Sequence, residues 1–134
     1  MNKSVMIVGV GGQGTLLASR ILGDAMMSQG FDVKVSEVHG MSQRGGSVVT
    51  YVRYGDKVYS PIIETGEADI LLSFEQLEAA RFLPYLKEGG TVVTSTQQID
   101  PMPVVTGEKE YPQGLLSEMG EKGVDVLAVD ALKL

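Results

Sequence analysis

The sequence predicts an α/β fold of three layers, a mainly parallel sheet with helices on both sides and an inserted β-hairpin. Three observations predict it. Lys3 to Val10 is a nearly continuous apolar run of the kind that fills a strand buried on both faces. That run passes through a glycine-rich turn, Gly9-Val10-Gly11-Gly12-Gln13-Gly14, into a segment with helical periodicity. Further short apolar runs then alternate with helical segments to the end of the chain.

The elements follow in order. From Thr15 to Gln29, Leu17, Ile21 and Ala25 recur at helical steps beside Ala18, Leu22 and Met26, and Gly30 supplies the stop. Phe31 to Val38 is the second strand, so the first forty residues read as a βαβ unit with a right-handed crossover. Glu37-Val38-His39-Gly40-Met41-Ser42-Gln43-Arg44-Gly45-Gly46 has neither period and reads as a loop. Ser47 to Tyr54 and Lys57 to Ile63 flank Gly55-Asp56 and read as the hairpin. Ala68 to Ser73 is a buried strand, Glu75 to Leu86 a helix kinked near Pro84, and Thr91 to Thr96 a strand after Gly89-Gly90. Gln97 to Pro112, with three prolines, is an irregular surface crossing. Leu115 to Glu121 is a short helix, Val124 to Val129 the last strand, and Asp130 caps a helix begun by Ala131 to Leu134. The expectation is one domain over residues 1–134 that lacks a C-terminal part. Its last strand then needs a cover from elsewhere, by a partner chain or by a second copy in a homodimer.

Composition removes whole classes of function. The 134 residues include no cysteine, so disulfides, thiolate-held iron–sulfur clusters and cysteine-ligated zinc are outside the reach of this chain. A formal net charge of −6, with 11 scattered Lys and Arg, offers no basic track for nucleic acid. One histidine, His39, and no paired-ligand spacing give no metal site. The apolar runs are far shorter than the roughly 20 residues that span a bilayer. No leader pattern opens the chain, so the expected location is cytoplasmic and no membrane contact is expected.

Two segments carry the candidate chemistry. In the turn, Gly9, Gly11, Gly12, Gln13 and Gly14 allow a tight bend and close approach of a ligand, with helix amides aimed at an anion. Glu37, near the end of the second strand, is placed as an acid for ribose hydroxyls would be. Equally, the glycines serve close strand–helix packing and Glu37 is a solvated strand end. In the loop, Arg44 has the planar fork that grips a carboxylate or phosphate, against the alternative of a surface ion pair. His39 titrates near neutral pH but is more often a loop hydrogen-bonder, and Met41 serves either as an anchor or as a subunit contact. Ser42, Gln43, Gly45 and Gly46 complete this substrate or partner loop. Phe74 and Glu75 follow a strand at the sheet's carboxyl edge, where Glu75 is also well placed to favour the helix dipole.

These segments together resemble the gamma-type domain of 2-oxoacid:ferredoxin oxidoreductases, most of all the small subunit of the indolepyruvate enzymes. The likeness rests on the glycine turn and its helix, on the ten residues from Glu37 to Gly46, on the expected hairpin, and on Ala68-Asp69-Ile70-Leu71-Leu72-Ser73-Phe74-Glu75. The stretch from Glu37 to Gly46 is the most specific. The resemblance implies a Rossmann-like subunit, inactive alone, of a complex that decarboxylates a 2-oxoacid such as an aryl pyruvate and forms an acyl-CoA. In that complex thiamine diphosphate, magnesium, iron–sulfur clusters and coenzyme A serve the reaction, and none is assigned to this chain. The implied partner is a large thiamine- and cluster-carrying subunit, with ferredoxin reached indirectly. Two other readings stand beside it: a free-standing Rossmann-type nucleotide-binding module, and a ligand-free docking subunit.

Overall fold

The computed structural model describes residues 2–10, 14–39, 47–96, 107, 113–121 and 123–129. Its strands are β1 (Lys3–Val10), β2 (Asp32–His39), β3 (Ser47–Gly55), β4 (Ala68–Ser73), β5 (Leu86–Ser95) and β6 (Asp125–Val129). They form one sheet in the order β2-β3-β1-β4-β5-β6, and β3 alone runs against the rest. The helices are α1 (Thr15–Ser28), α2 (Gln76–Arg81) and α3 (Leu115–Glu121). The predicted α/β class and mainly parallel sheet therefore stand.

Side chains of β1 alternate between two layers. Met6 and Val8 face a core with Leu71, Val92, Ala79 of α2 and Met119 of α3, whereas Val5 and Ile7 face Val52 and, from α1, Ala18 and Leu22. α1 leads toward β2 on one side of β1, while α2 and α3 lead from β4 to β5 and on to β6 on the other side. Right-handed crossovers running in opposite directions place their helices on opposite faces.

Helix ends follow local chemistry. After α1, Gly30 takes φ 90°, its N–H donates to the Met27 carbonyl, and the Phe31 N–H donates to Met26, a Schellman closure that satisfies two end carbonyls. Gly123 closes α3 in the same way through the Met119 and Gly120 carbonyls. α2 is shorter than the sequence predicts. It stops at Arg81, and Pro84 sits in a 3₁₀ turn, Leu83–Tyr85, where its missing N–H breaks no α-helical bond. β5 in turn starts earlier, at Leu86. Lys87, Glu88, Gly89 and Gly90 bulge between two paired positions where β4 has only Asp69, and Gly89 accepts φ 81°.

The β1-α1-β2 unit stands with its two strands parallel, and β3 lies between them and pairs antiparallel with both. For the same reason Lys57 to Ile63 is not the second arm of a hairpin. Both edges of β3 are taken, and the antiparallel connection is β2 to β3 across residues 40–46. The 57–63 segment contains Pro61 and is held by side chains instead. Its Val58 N–H donates to Asp32 Oδ2 at 2.8 Å, and Arg53 donates to the carbonyls of Ser60 at 3.3 Å and Ile62 at 3.1 Å. Val58 and Ile63 are buried as its anchors.

α1 also faces the sheet differently from the large-residue stripe. Thr15, Ser19 and Gly23 are its buried residues, with Ala18 and Leu22 half-buried beside them, while Leu17 and Ile21 point outward. Small residues on the inner face let the helix lie close, and a Cβ at Gly23 would already touch Val33 at 3.7 Å. The expected crossing at 97–112 and the C-terminal helix from Asp130 lie outside the described residues, apart from Gly107.

Candidate functional site at the carboxyl pole of the sheet

β1 ends where β3 begins, with Val10 opposite Ser47, and β2 ends alongside, with His39 opposite Val48. The glycine turn and the 40–46 connection thus spring from adjacent strands at one pole. β4 ends there too, because Val8 pairs with Ser73 and the Phe74 N–H donates to the Val8 carbonyl at 3.0 Å. β1 and β4 send their chains to opposite faces, so a crevice opens between their carboxyl ends, the position at which open α/β sheets bind ligands.

The β4 side of this crevice is rigidly built. Ser73 Oγ donates to the Glu75 carbonyl at 2.6 Å, and Glu75, 1% exposed, caps α2 by accepting the Glu78 N–H at 2.9 Å. Capping satisfies an end donor and places negative charge at the positive helix end. Glu78 is buried as well and is paired with Arg81 at 3.2 Å. Gln76 Nε2 donates to the Thr96 carbonyl at 2.5 Å and so ties the end of β5 to the same edge.

On the β1 side, Gly14 is the N-cap of α1 with φ 87° and ψ 21°, and among the described residues no side chain caps this helix. The left-handed conformation is what requires glycine here, since a Cβ would meet nothing within 4 Å. The first-turn amides of α1 point toward this pole, an arrangement suited to an anion. Gly9 is buried in β1 opposite Val48. Glu37 is half-buried in β2 opposite Thr50, which is opposite Ile7 in turn. β3 thus stands between Glu37 and the glycine turn, about two strand spacings or roughly 10 Å, where a dinucleotide fold has adjacent strands.

Of the other expected residues, His39 closes β2 at the pole, while Gly11, Gly12, Gln13, Met41, Ser42, Gln43, Arg44, Gly45 and Gly46 lie outside the described residues. Sequence reasoning passed over Thr50, fully buried between Ile7 and Glu37, whose Oγ1 has no hydrogen-bond partner among the described residues. Its one signal is a hydroxyl inside the apolar run Val48-Val49-Thr50. Ser73 and Gln76 were also passed over, because their partners Glu75 and Thr96 are set by the fold.

A central strand β1 that leads through a glycine sequence into α1, and a capped helix α2 leaving β4 on the opposite face of the sheet, define the class: a Rossmann-like module. The chain belongs to the pyruvate ferredoxin/flavodoxin oxidoreductase family, whose profile it matches over residues 4–134. It is 51% identical over 109 residues to indolepyruvate oxidoreductase subunit IorB of Pyrococcus horikoshii, covering 81% of this chain and 54% of that protein. It is 47% identical over 136 aligned residues to the subunit of the same name from Thermococcus kodakarensis, covering 98% of this chain and 66% of that one. Among solved structures, pyruvate oxidoreductase subunit PORC of Thermotoga maritima shares the fold with a TM-score of 0.66 at 18% identity, over 98% of this chain and 64% of that one. The chain thus spans about half to two thirds of the length of these relatives.

Proposed function

We propose that this chain is the small subunit of a 2-oxoacid:ferredoxin oxidoreductase acting on indolepyruvate or a related aryl pyruvate. The observation that carries the reading is the 47–51% identity to subunits named for indolepyruvate oxidoreductase. In the reaction the substrate carboxylate leaves as carbon dioxide, the electron pair passes to ferredoxin, and the acyl group ends on the thiol of coenzyme A. Thiamine diphosphate with magnesium, and iron–sulfur clusters as electron carriers, supply that chemistry from the large partner subunit. A chain without cysteine leaves the clusters to that partner. The working polypeptide extends beyond Asp130, as the greater length of the relatives suggests, and works in the cytoplasm; no helix among the described residues is long and apolar enough to cross a membrane.

The role of the chain's own residues is to position. The carboxyl pole forms a wall of the active site. The turn with Gly9, Gly11, Gly12, Gln13 and Gly14 offers helix amides to an anionic group, and Gln43 and Arg44 face the substrate carboxylate or the partner. Glu37, His39, Met41, Ser42, Gly45 and Gly46 frame that contact. A free-standing nucleotide module is less well supported, because β3 separates Glu37 from the glycine turn.

Co-expression with a large subunit, purification through a tag on one chain, and assay of 2-oxoacid-dependent viologen reduction test the proposal. Activity that needs both chains, with aryl pyruvates preferred, is the expected result. No association, together with saturable nucleotide binding by this chain alone, would overturn it.

A further inference from the structure

α1 turns its small residues toward the sheet and its large ones away from it. Thr15, Ser19 and Gly23 are buried, whereas Leu17, Ile21 and Met27 are 62%, 63% and 55% exposed. A helix on a sheet ordinarily does the reverse and buries its large apolar residues. Single exposed apolar side chains are common, but these three share one stripe with Arg20 and Asp24, both exposed. Leu17, Arg20, Asp24 and Met27 follow at steps of three, four and three residues, the spacing that lines side chains along one helix face, and Ile21 borders them. The stripe therefore has an apolar residue at each end, one at its middle, and one charge of each sign between.

We infer that this stripe is the contact between two copies of this chain, their α1 helices packed antiparallel about a two-fold axis at the level of Leu22. The stripe is complementary to itself in that arrangement. The axis exchanges position 17 with 27 and position 20 with 24, so Leu17 meets Met27 of the second copy, and Arg20 meets its Asp24 in two symmetric pairs. The two Ile21 side chains meet beside the axis. Charge fixes the direction, because parallel packing sets Arg20 against Arg20 and Asp24 against Asp24. Both sheets then lie on the outer sides of the helix pair. One helix laid on another covers less than the roughly 800 Å² per partner of a stable interface, so the pairing is weak and concentration-dependent. The inference goes beyond the proposed role and does not rest on it, since it uses neither the carboxyl pole nor a substrate.

The absence of cysteine makes the register measurable, because each introduced thiol is the only one in this chain. Leu17→Cys, Ile21→Cys and Met27→Cys are made singly in the natural-length polypeptide and oxidised, with the unsubstituted polypeptide as background. A helical rise of about 1.5 Å per residue leaves the two Ile21 positions about 3 Å apart along the axis, and two copies of position 17 or of position 27 about 15 Å apart. The expected result is that Ile21→Cys cross-links to itself, whereas Leu17→Cys and Met27→Cys cross-link only when mixed with each other. Analytical ultracentrifugation then reads the charges. The unsubstituted polypeptide is expected to show a concentration-dependent dimer, Arg20→Glu to raise its Kd about tenfold, and Arg20→Glu with Asp24→Lys to restore it. All these positions are exposed, so the variants keep the fold, which circular dichroism checks. A monomer at every concentration up to about 1 mM overturns the inference, as does a dimer indifferent to Arg20→Glu. Ile21→Cys that stays monomeric and is protected from alkylation only when the large subunit is added assigns the stripe to that subunit and overturns it as well.

Discussion

The two faces of this one sheet are built to different degrees of closure. On the α2 and α3 face, Met6, Leu71 and Val92 are wholly buried in one continuous core. On the α1 face Thr50, Ile7 and Val52 are at 0% exposure and Val5 at 4%, whereas Leu127 on β6 is 57% exposed. The hydrophobic strand pattern is the same on both sides, so burial here is decided by which helices the chain supplies. Among the described residues the closed face therefore carries the larger share of the core.

The contrast is broken most severely by equal truncations on the two faces. Leu71→Ala removes a side chain at 0% exposure and is expected to cost about 2–5 kcal/mol, whereas Leu127→Ala in the same chain is expected to stay within about 0.5 kcal/mol. Denaturant unfolding of both variants checks this, and equal losses would show the α1 face to be closed in solution. At the edge of the α1 layer, Gly14→Ala forces a Cβ into the left-handed region and should cost about 1–2 kcal/mol, read as a lowered Tm.

A smaller effect of opposite sign sharpens the account of α1. Gly23→Ala replaces a helical glycine where the new Cβ meets Val33 at 3.7 Å and Val35 at 3.8 Å, ordinary contacts. It should stabilise the chain by about 0.5–1 kcal/mol. A loss in its place would mean that the helix lies closer to the sheet than these distances describe.

The smallest effect concerns Asp32, at the amino end of β2. The Val58 N–H and then Lys34 hold its carboxyl below the ordinary value of 3.8. A carboxylate depressed in the folded state contributes stability above its unfolded pKa and loses it as pH falls through the folded one. Wild type and Asp32→Asn should therefore differ slightly at neutral pH and converge below about pH 3.8 in acid-unfolding curves. A difference that grows toward acid pH would contradict the assignment.

Elements whose signals are local were legible in the sequence. β1, β4 and β6 are apolar runs, and Gly30 ends α1 as the pattern predicts. Signals settled by distant residues were not. The run Lys57 to Ile63 has the composition of a strand, yet β1 and β2 occupy both edges of β3, and Arg53 fastens the segment from a side chain. The inner side of α1 was missed because periodicity weights large apolar residues, while close approach to the sheet selects Thr15, Ser19 and Gly23. At the carboxyl pole, Gly14 was readable from its motif. The Gln76 and Thr96 tie depends on β4 and β5 being neighbours, which no short window contains.

The most direct test of the central claim, that the carboxyl pole is the working edge, is amide hydrogen exchange of this chain alone and after assembly with the large subunit. New protection concentrated in peptides covering residues 9–14, 40–46 and 74–76 is the predicted result. Protection confined to the amino pole, around residues 86–90, with those three peptides unchanged, would contradict it.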